Sequence, residues 1–227
     1  MNIRRFIIGL SILAISVITW GMQKNVVTPD LNKLVSGVGW KLHNRTVTAL
    51  NEAGKNGVRF DEQPGDGIAW LEGVKFSEGT IECDLRGKNV LQRSFVGIAF
   101  HGVNEKVFDA IYFRPFNFKQ EDPVRRSHAV QYISHPANTW SNLRSEFPLK
   151  YEQPVKPVPD PEDWFHARLV VAKGKVSVFV NDANEPSLVV DKLNARTEGM
   201  VGFWVGTTSG GDFANLKLTP RDRKSVG

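Results

Sequence analysis

The sequence predicts an all-β fold, two antiparallel sheets enclosing one core, and three observations carry that prediction. From Leu31 onward apolar and polar residues alternate with period two in run after run, the spacing that puts apolar side chains on one face of a strand. No stretch carries the 3.6-residue apolar stripe of an amphipathic helix. Glu78-Gly79, Lys173-Gly174, Asn181-Asp182, Glu198-Gly199 and Ser209-Gly210-Gly211 punctuate the runs, and glycine and Asx residues supply the positive φ that tight hairpins need. A sheet that hides one face only must pack that face on a second sheet.

The N-terminus comes first in order and differs from the rest. Arg4 and Arg5 precede an uncharged, mostly apolar run from Phe6 to Trp20. That run is about 15 residues, short of the roughly 20 a spanning helix needs, which favours an export signal over residues 1–21, with an uncleaved anchor as the alternative. Export implies a periplasmic, cell-surface or extracellular location, with membrane contact only through an uncleaved N-terminal segment. Residues 22–30 then read as a linker, 31–219 as the sandwich domain and 220–227 as a basic tail. Within the domain, strands are expected at 67–71, 80–86, 96–101, 110–116, 128–134, 166–172, 175–181, 188–190, 200–206 and 213–218. Six of the twelve prolines fall between Pro136 and Pro161, in a stretch that also holds Trp140, Arg144, Tyr151 and Trp164. Two readings stand for it, a wall over a site or a pinned surface excursion.

Composition excludes several function classes. The 227 residues are 41% hydrophobic and 23% charged, enough apolar material for a sizeable core. The formal charge of +5 falls to +3 when the two arginines of residues 1–21 are subtracted, too small and dispersed an excess for nucleic acid. Zinc-spaced Cys/His sets, a P-loop, G-x-G-x-x-G and H-E-x-x-H are missing from the sequence. With one cysteine there is no intramolecular disulfide, and Cys83 lies on the apolar side of its strand with Ile81 and Leu85, as a buried inert thiol would. Asn44-Arg45-Thr46 is a glycosylation sequon, relevant only in a eukaryotic secretory pathway.

Polar chemistry concentrates between residues 96 and 136. In SFVGIAFHG, Val96, Ile98 and Phe100 take the core phase, leaving Gly97, Ala99 and His101 on the other face as a low floor for a flat ligand. In AIYFRPF, Ile111 and Phe113 match the core phase, which puts Tyr112 and Arg114 beside His101 on a neighbouring strand. A phenol ring stacks on the C–H face of a sugar, and a guanidinium fork holds two hydroxyls or a carboxylate. In HAVQYIS, Val130 and Tyr132 continue the core and present Gln131 to the groove, with His128 and His135 at the two ends. Trp140 in the proline-rich stretch and Trp204, set opposite Val201, Phe203 and Val205 between Gly202 and Gly206, are further stacking candidates. Glu82 and Asp84 project from one face of TIECDLR, about 6 to 7 Å apart, between the separations of retaining and inverting glycosidase pairs. They and His101 are the acid/base candidates, although alternating acids on the wet side of a strand are commonplace. A structural or catalytic divalent cation has one candidate ligand, Asp212 after Gly-Gly.

The order of these pieces, GTIECDLR, VGIAFHG, YFRPFNF, HAVQYIS, DWFHARLVV, KVSVFVND, EGMVGFWVG and DFANLKL, resembles the concanavalin A-like lectin/glucanase superfamily. More narrowly it is similar to exported bacterial domains related to the 3-keto-disaccharide hydrolase family. The resemblance implies a jelly-roll sandwich with a sugar site across the concave sheet, and it supports Tyr112, Arg114, Gln131 and His101 as groove residues. It also marks a departure, because laminarinase-type members carry E-x-D-x-x-E whereas Glu82 and Asp84 are followed here by Arg86 and Gly87. The leading expectation is therefore an exported domain that binds an oligo- or polysaccharide. A glycoside or keto-glycoside hydrolase using Glu82, Asp84 or His101, and a non-catalytic structural or protein-binding domain, are the alternatives.

Overall fold

The computed structural model describes residues 26–221, so the expected export signal (1–21) and most of the basic tail (220–227) lie outside the described residues. In chain order the elements are α1 (Asn32–Val35), β1 (Trp40–His43), β2 (Val47–Glu52), β3 (Lys55–Phe60), β4 (Gly67–Leu71), β5 (Gly79–Arg86), β6 (Val96–Asn104), β7 (Val107–Phe113), a 3-10 turn (Pro115–Asn117), α2 (Pro123–Arg126), β8 (Val130–His135), α3 (Trp140–Glu146), β9 (Glu152–Gln153), β10 (Phe165–Ala172), β11 (Lys175–Val180), β12 (Leu188–Asp191), β13 (Met200–Val205) and β14 (Gly211–Pro220). They form two seven-stranded antiparallel sheets packed as a jelly-roll sandwich. The front sheet runs β1-β4-β13-β6-β7-β8-β9 and the back sheet β12-β11-β10-β5-β14-β3-β2.

Side chains in the core phase of both sheets meet between them. Phe203 of the front sheet stacks on Phe213 of the back sheet at 4.6 Å, and Phe60 meets Phe213 edge-on at 5.1 Å. Phe113 and Phe165 make a second bridge at 5.0 Å. Truncating a fully buried phenylalanine such as Phe203 costs about 3–5 kcal/mol, because the cavity left behind refills only in part. Cys83 sits in this core with its thiol pKa pushed up by burial.

Every expected strand has a counterpart, and the differences have local causes. The expected strand 110–116 stops at Phe113 because Pro115 has no N–H for the ladder; Arg114 leaves the strand at φ −117°, ψ 85° and Pro115 opens the 3-10 turn. Strands β1, β2 and β3 were not foreseen, since they lie at or near sheet edges where burial is sparse and the alternation weak. Their hairpin turns at Ala53-Gly54 with φ of 52° and 71°, a primed turn like the one expected at Lys173-Gly174. Within the described part of the expected linker, Val27 exchanges backbone hydrogen bonds of 2.9 and 2.8 Å with Leu218.

The two sheets treat their outer faces differently. Along β10 of the back sheet buried and half-buried residues alternate, whereas β4 and most of β6, β7 and β8 in the front sheet are buried on both sides. Front-sheet strands therefore carry a second apolar layer outside the core, and the chain between Pro115 and Tyr151 covers it.

Candidate functional site

One row of register partners crosses the front sheet and forms the base of the site: Ile68, Trp204, Gly97, Tyr112, Gln131 and Glu152, one from each of β4, β13, β6, β7, β8 and β9. Gly97 is what lets the row close up. A Cβ there would fall 2.6 Å from the Tyr112 Cβ and 2.3 Å from the Ile111 carbonyl oxygen, so the Trp204 and Tyr112 rings lean together above it with centroids 5.0 Å apart. The low floor expected from Gly97 and Ala99 is thus filled by the neighbours' aromatic rings.

A buried polar network runs along the same row. The Tyr112 hydroxyl donates to Gln131 Oε1 at 2.8 Å, and Arg114 Nη2 donates to that oxygen at 2.6 Å and to the Tyr112 hydroxyl oxygen. Arg114 Nη1 donates to the His128 carbonyl at 2.9 Å. Its guanidinium lies over the Tyr112 ring, 4.8 Å from the centroid, so it covers the face that a sugar was expected to stack on. Glu152 is buried and takes a two-pronged contact from Arg144, Nε to Oε1 at 2.9 Å and Nη2 to Oε2 at 2.7 Å, with Arg114 Nη1 at 3.7 Å and His128 Nδ1 at 2.9 Å. Burial lowers the His128 pKa, and Arg144 and Arg114 add to the effect against Glu152, which keeps the imidazole neutral near pH 7.

A short helix walls the site. Thr139 caps α3 by accepting from the Asn142 N–H, Leu143 anchors its inner side, and Gln131 Nε2 donates to the Trp140 carbonyl at 3.3 Å. Trp140 remains 50% exposed, with the Arg144 guanidinium 5.1 Å from its ring centroid. Floor and wall enclose an open cavity of about 710 Å³, within the range of small-molecule sites. The proline-rich stretch therefore forms a wall, one of its two expected readings.

Of the sequence-derived binding residues, Tyr112, Arg114, His128, Trp140 and Trp204 line this cavity. Gln131 is fully buried beneath it and holds Tyr112, Arg114 and α3 in place. Asp66 and His135 line the opposite end. Burial raises the Asp66 pKa against the opposing pull of His135 and neighbouring donors, and burial lowers His135 although Asp66 opposes it. The buried Trp204 indole N–H is one of those donors, close to Asp66 without reaching good hydrogen-bond geometry. Asp66, Arg125 and Glu152 escaped the sequence reading. Asp66 precedes its strand, in Gly65-Asp66-Gly67, and Glu152 belongs to a strand of two residues, so neither gave an alternation signal.

None of the acid/base candidates lines the cavity. Glu82 and Asp84 project from the outer face of β5, in the back sheet, as register partners of Arg168 and His166. Asp84 accepts from His166 Nδ1 at 2.7 Å, Lys55 Nζ at 2.6 Å and Asn215 Nδ2 at 2.7 Å. Burial alone would raise its pKa, but these hydrogen bonds outweigh it and hold the carboxyl down at about 2. Glu82 pairs with Lys217 at 3.0 Å. His101 also departs from strict alternation: a bulge between Phe100 and Asn104 turns Gly102 against Trp70 on the outer layer and His101 toward Asp109, whose Oδ2 is 3.9 Å from its Nδ1. There it is 2% exposed, and its Nε2 lies 2.7 Å from the Ser77 carbonyl oxygen. Asp212, the one candidate cation ligand, has both oxygens engaged by guanidinium groups, Arg59 Nε at 2.8 Å on Oδ1 and Arg86 Nε at 2.8 Å on Oδ2. A divalent cation there would face two positive charges. The sequon Asn44 is likewise engaged, its amide donating to the Pro64 and Asp66 carbonyls at 2.8 and 3.1 Å.

Sheet order, core and cavity define the class: a concanavalin A-like jelly-roll sandwich with a polar, aromatic-floored cavity on one sheet. No protein-family model and no curated protein matches the sequence. Among solved structures, the carbohydrate binding module CBM66 from Bacillus subtilis is similar over 80% of this chain and 96% of that one, with a TM-score of 0.58 and 15% identity. The exoplasmic/lumenal domain of VIP36, in a form bound to Ca2+ and Man3GlcNAc, is similar over 83% of this chain and 86% of its own, at TM-score 0.53 and 12% identity. A protein of unknown function with a galectin-like fold, also from Bacillus subtilis, aligns over 80% of this chain and 90% of its own at TM-score 0.50 and 13% identity. At such identities the likeness is one of fold.

Proposed function

We propose that this chain is an exported carbohydrate-binding domain that holds a saccharide in the front-sheet cavity, between the Trp204–Tyr112 floor and the Trp140 wall. The observation that carries the reading is the pairing, in one cavity, of a half-exposed indole with fixed guanidinium groups. The indole offers a flat apolar surface to sugar C–H groups, while the guanidinium donors orient hydroxyls or a carboxylate. Because Tyr112 is buried beneath the Arg114 guanidinium while Trp140 stays half exposed beside Arg144, stacking falls to Trp140, and Tyr112, Trp204 and Gln131 serve as the rigid base. The description of one structural neighbour as a carbohydrate binding module, the mannose-containing glycan bound to another, and the strand motifs similar to 3-keto-disaccharide hydrolase relatives support the same reading.

One observation favours hydrolysis, the raised carboxyl of Asp66 in the cavity. Two-carboxylate glycoside hydrolysis needs a partner acid, and Asp66 is the one carboxylate-bearing residue lining the cavity among the described residues. Binding without turnover is the function these groups provide for. The test is titration calorimetry of the wild type and Trp140→Ala with saccharides selected on a glycan array. Loss of roughly tenfold or more in affinity is expected for Trp140→Ala, with an unchanged melting temperature because half of that side chain is already in water. Equal affinity of the two proteins would overturn the reading.

A further inference from the structure

We infer that the saccharide is anionic, with a carboxylate-bearing sugar held at the α2 side of the cavity by Arg125 in concert with Arg144 and Arg114. The inference rests on the cavity being the saccharide site and adds the chemical class of its ligand.

Its basis is charge and hydrogen-bond accounting around the cavity. Three guanidinium groups line it, Arg114, Arg125 and Arg144, against the single carboxyl of Asp66. The Glu152 carboxylate beneath the floor is shared between Arg114 and Arg144. With both acids ionised, three positive and two negative groups leave one positive charge uncompensated. That excess grows whenever Asp66 carries a proton, which its surroundings favour.

Arg125 is where the excess resides. Its helix is fixed locally: Pro123 stands at the first position, the Asp122 side chain accepts from the Val124 N–H at 2.9 Å, and the next residue, Arg126, donates to the Gln120 and Glu121 carbonyls. Arg125 itself makes no side-chain hydrogen bond and no ion pair with any of the described residues, yet it is half-buried and faces the cavity. A surface arginine with no partner is ordinary. One held half-buried on a capped turn, facing an open cavity of sugar size, leaves its planar fork free for a ligand. A carboxylate matches that fork with two parallel N–H···O bonds, and a neutral hydroxyl does not. Trp140 lines the same cavity, so stacking and charge are offered to one ligand.

The experiment compares oligouronates of three to five sugars (galacturonate, glucuronate, mannuronate and guluronate) with their carboxyl-reduced neutral counterparts by titration calorimetry, on the wild type and on Arg125→Gln. The inference expects at least one uronate to bind about tenfold or more tightly than its neutral twin at low salt. That preference should shrink toward parity in Arg125→Gln and on raising the salt to about 0.5 M, where exposed charges are screened. Arg125→Gln should keep the wild-type melting temperature, because the side chain has no protein partner to lose. Neutral sugars binding as well as their uronate twins would overturn the anionic assignment and leave the saccharide reading standing. The assignment also fails if Arg125→Gln retains the full preference, or if no uronate binds. Silence of the whole neutral and acidic panel would remove the saccharide reading as well.

Discussion

The two sheets each carry a carboxylate network on their outer face, and the contrast between them separates a candidate site from ordinary surface. On the back sheet, Glu82, His166, Lys55 and Lys217, all in contact with water, pair around the buried Asp84 and with one another. Each of these three cations has an anion beside it, and no cavity opens among them. On the front sheet, Glu152, Arg114, Gln131 and Tyr112 are buried under a wall, while Arg125 and Trp140 on that wall remain available. Two acids aligned on a strand are chemically suggestive in sequence. What matters in space is whether a cavity leaves them something to act on.

The largest effect should come from breaking the front network at its anion. Glu152→Ala leaves Arg114 buried without its nearest carboxylate and frees Arg144, at a cost of about 3–5 kcal/mol, measurable by urea denaturation. A milder change on the back sheet, Asp84→Asn, should cost about 1–2 kcal/mol, since the amide keeps the side-chain shape and an accepting oxygen and loses only the charge that holds the carboxyl at about 2. Saccharide affinity should be unaffected by Asp84→Asn. A smaller loss for Glu152→Ala than for Asp84→Asn would invert the comparison.

The back network also predicts a pH profile. The Asp84 carboxyl is depressed, so its contribution is present above about pH 4 and is lost as pH falls through about 2. The His166 imidazole is raised, first by its hydrogen bond to Asp84, so its contribution is complete below about pH 6.5 and is lost as pH rises through its folded value. Stability from this pair should therefore peak between about pH 4 and 6.5, and Asp84→Asn should flatten the peak in denaturation curves taken across that range. On the front sheet pH should act on the ligand instead. Deprotonation of Asp66 adds a negative charge to the cavity, so affinity for a uronate should fall as pH rises through the raised Asp66 value, by about threefold to tenfold at low salt. Asp66→Asn should abolish that dependence. The smallest effect belongs to Glu82→Gln, within about 0.5 kcal/mol of wild type and with unchanged binding, which would separate this acid from the site altogether.

Much of the sandwich was legible because alternation reports burial directly. The back-sheet strand 166–172 and the hairpin at Lys173-Gly174 follow from side-chain phase and turn residues, and they appear in the structure with shifts of one residue. Tyr112, Gln131 and Trp204 fell on the expected face for the same reason. His101 did not, because one bulge reverses phase and leaves no mark in the pattern. Arg114 reached the right place by a different route, past the strand end set by Pro115.

By itself the sequence determined the fold class, the core phase of the main strands and a set of aromatic and guanidinium residues on one face, since all of these depend on periodicity and local turn chemistry. The tertiary structure decided which groups share a cavity: it paired Arg114 with Glu152 across 38 positions, set Trp204 beside Tyr112 over Gly97, and moved Glu82 and Asp84 to the other sheet. The reason is that strand order is non-local. Alternation tells a side chain which face of its own strand it occupies, whereas its neighbours across the sheet are fixed only when distant strands pair and a covering loop settles over them.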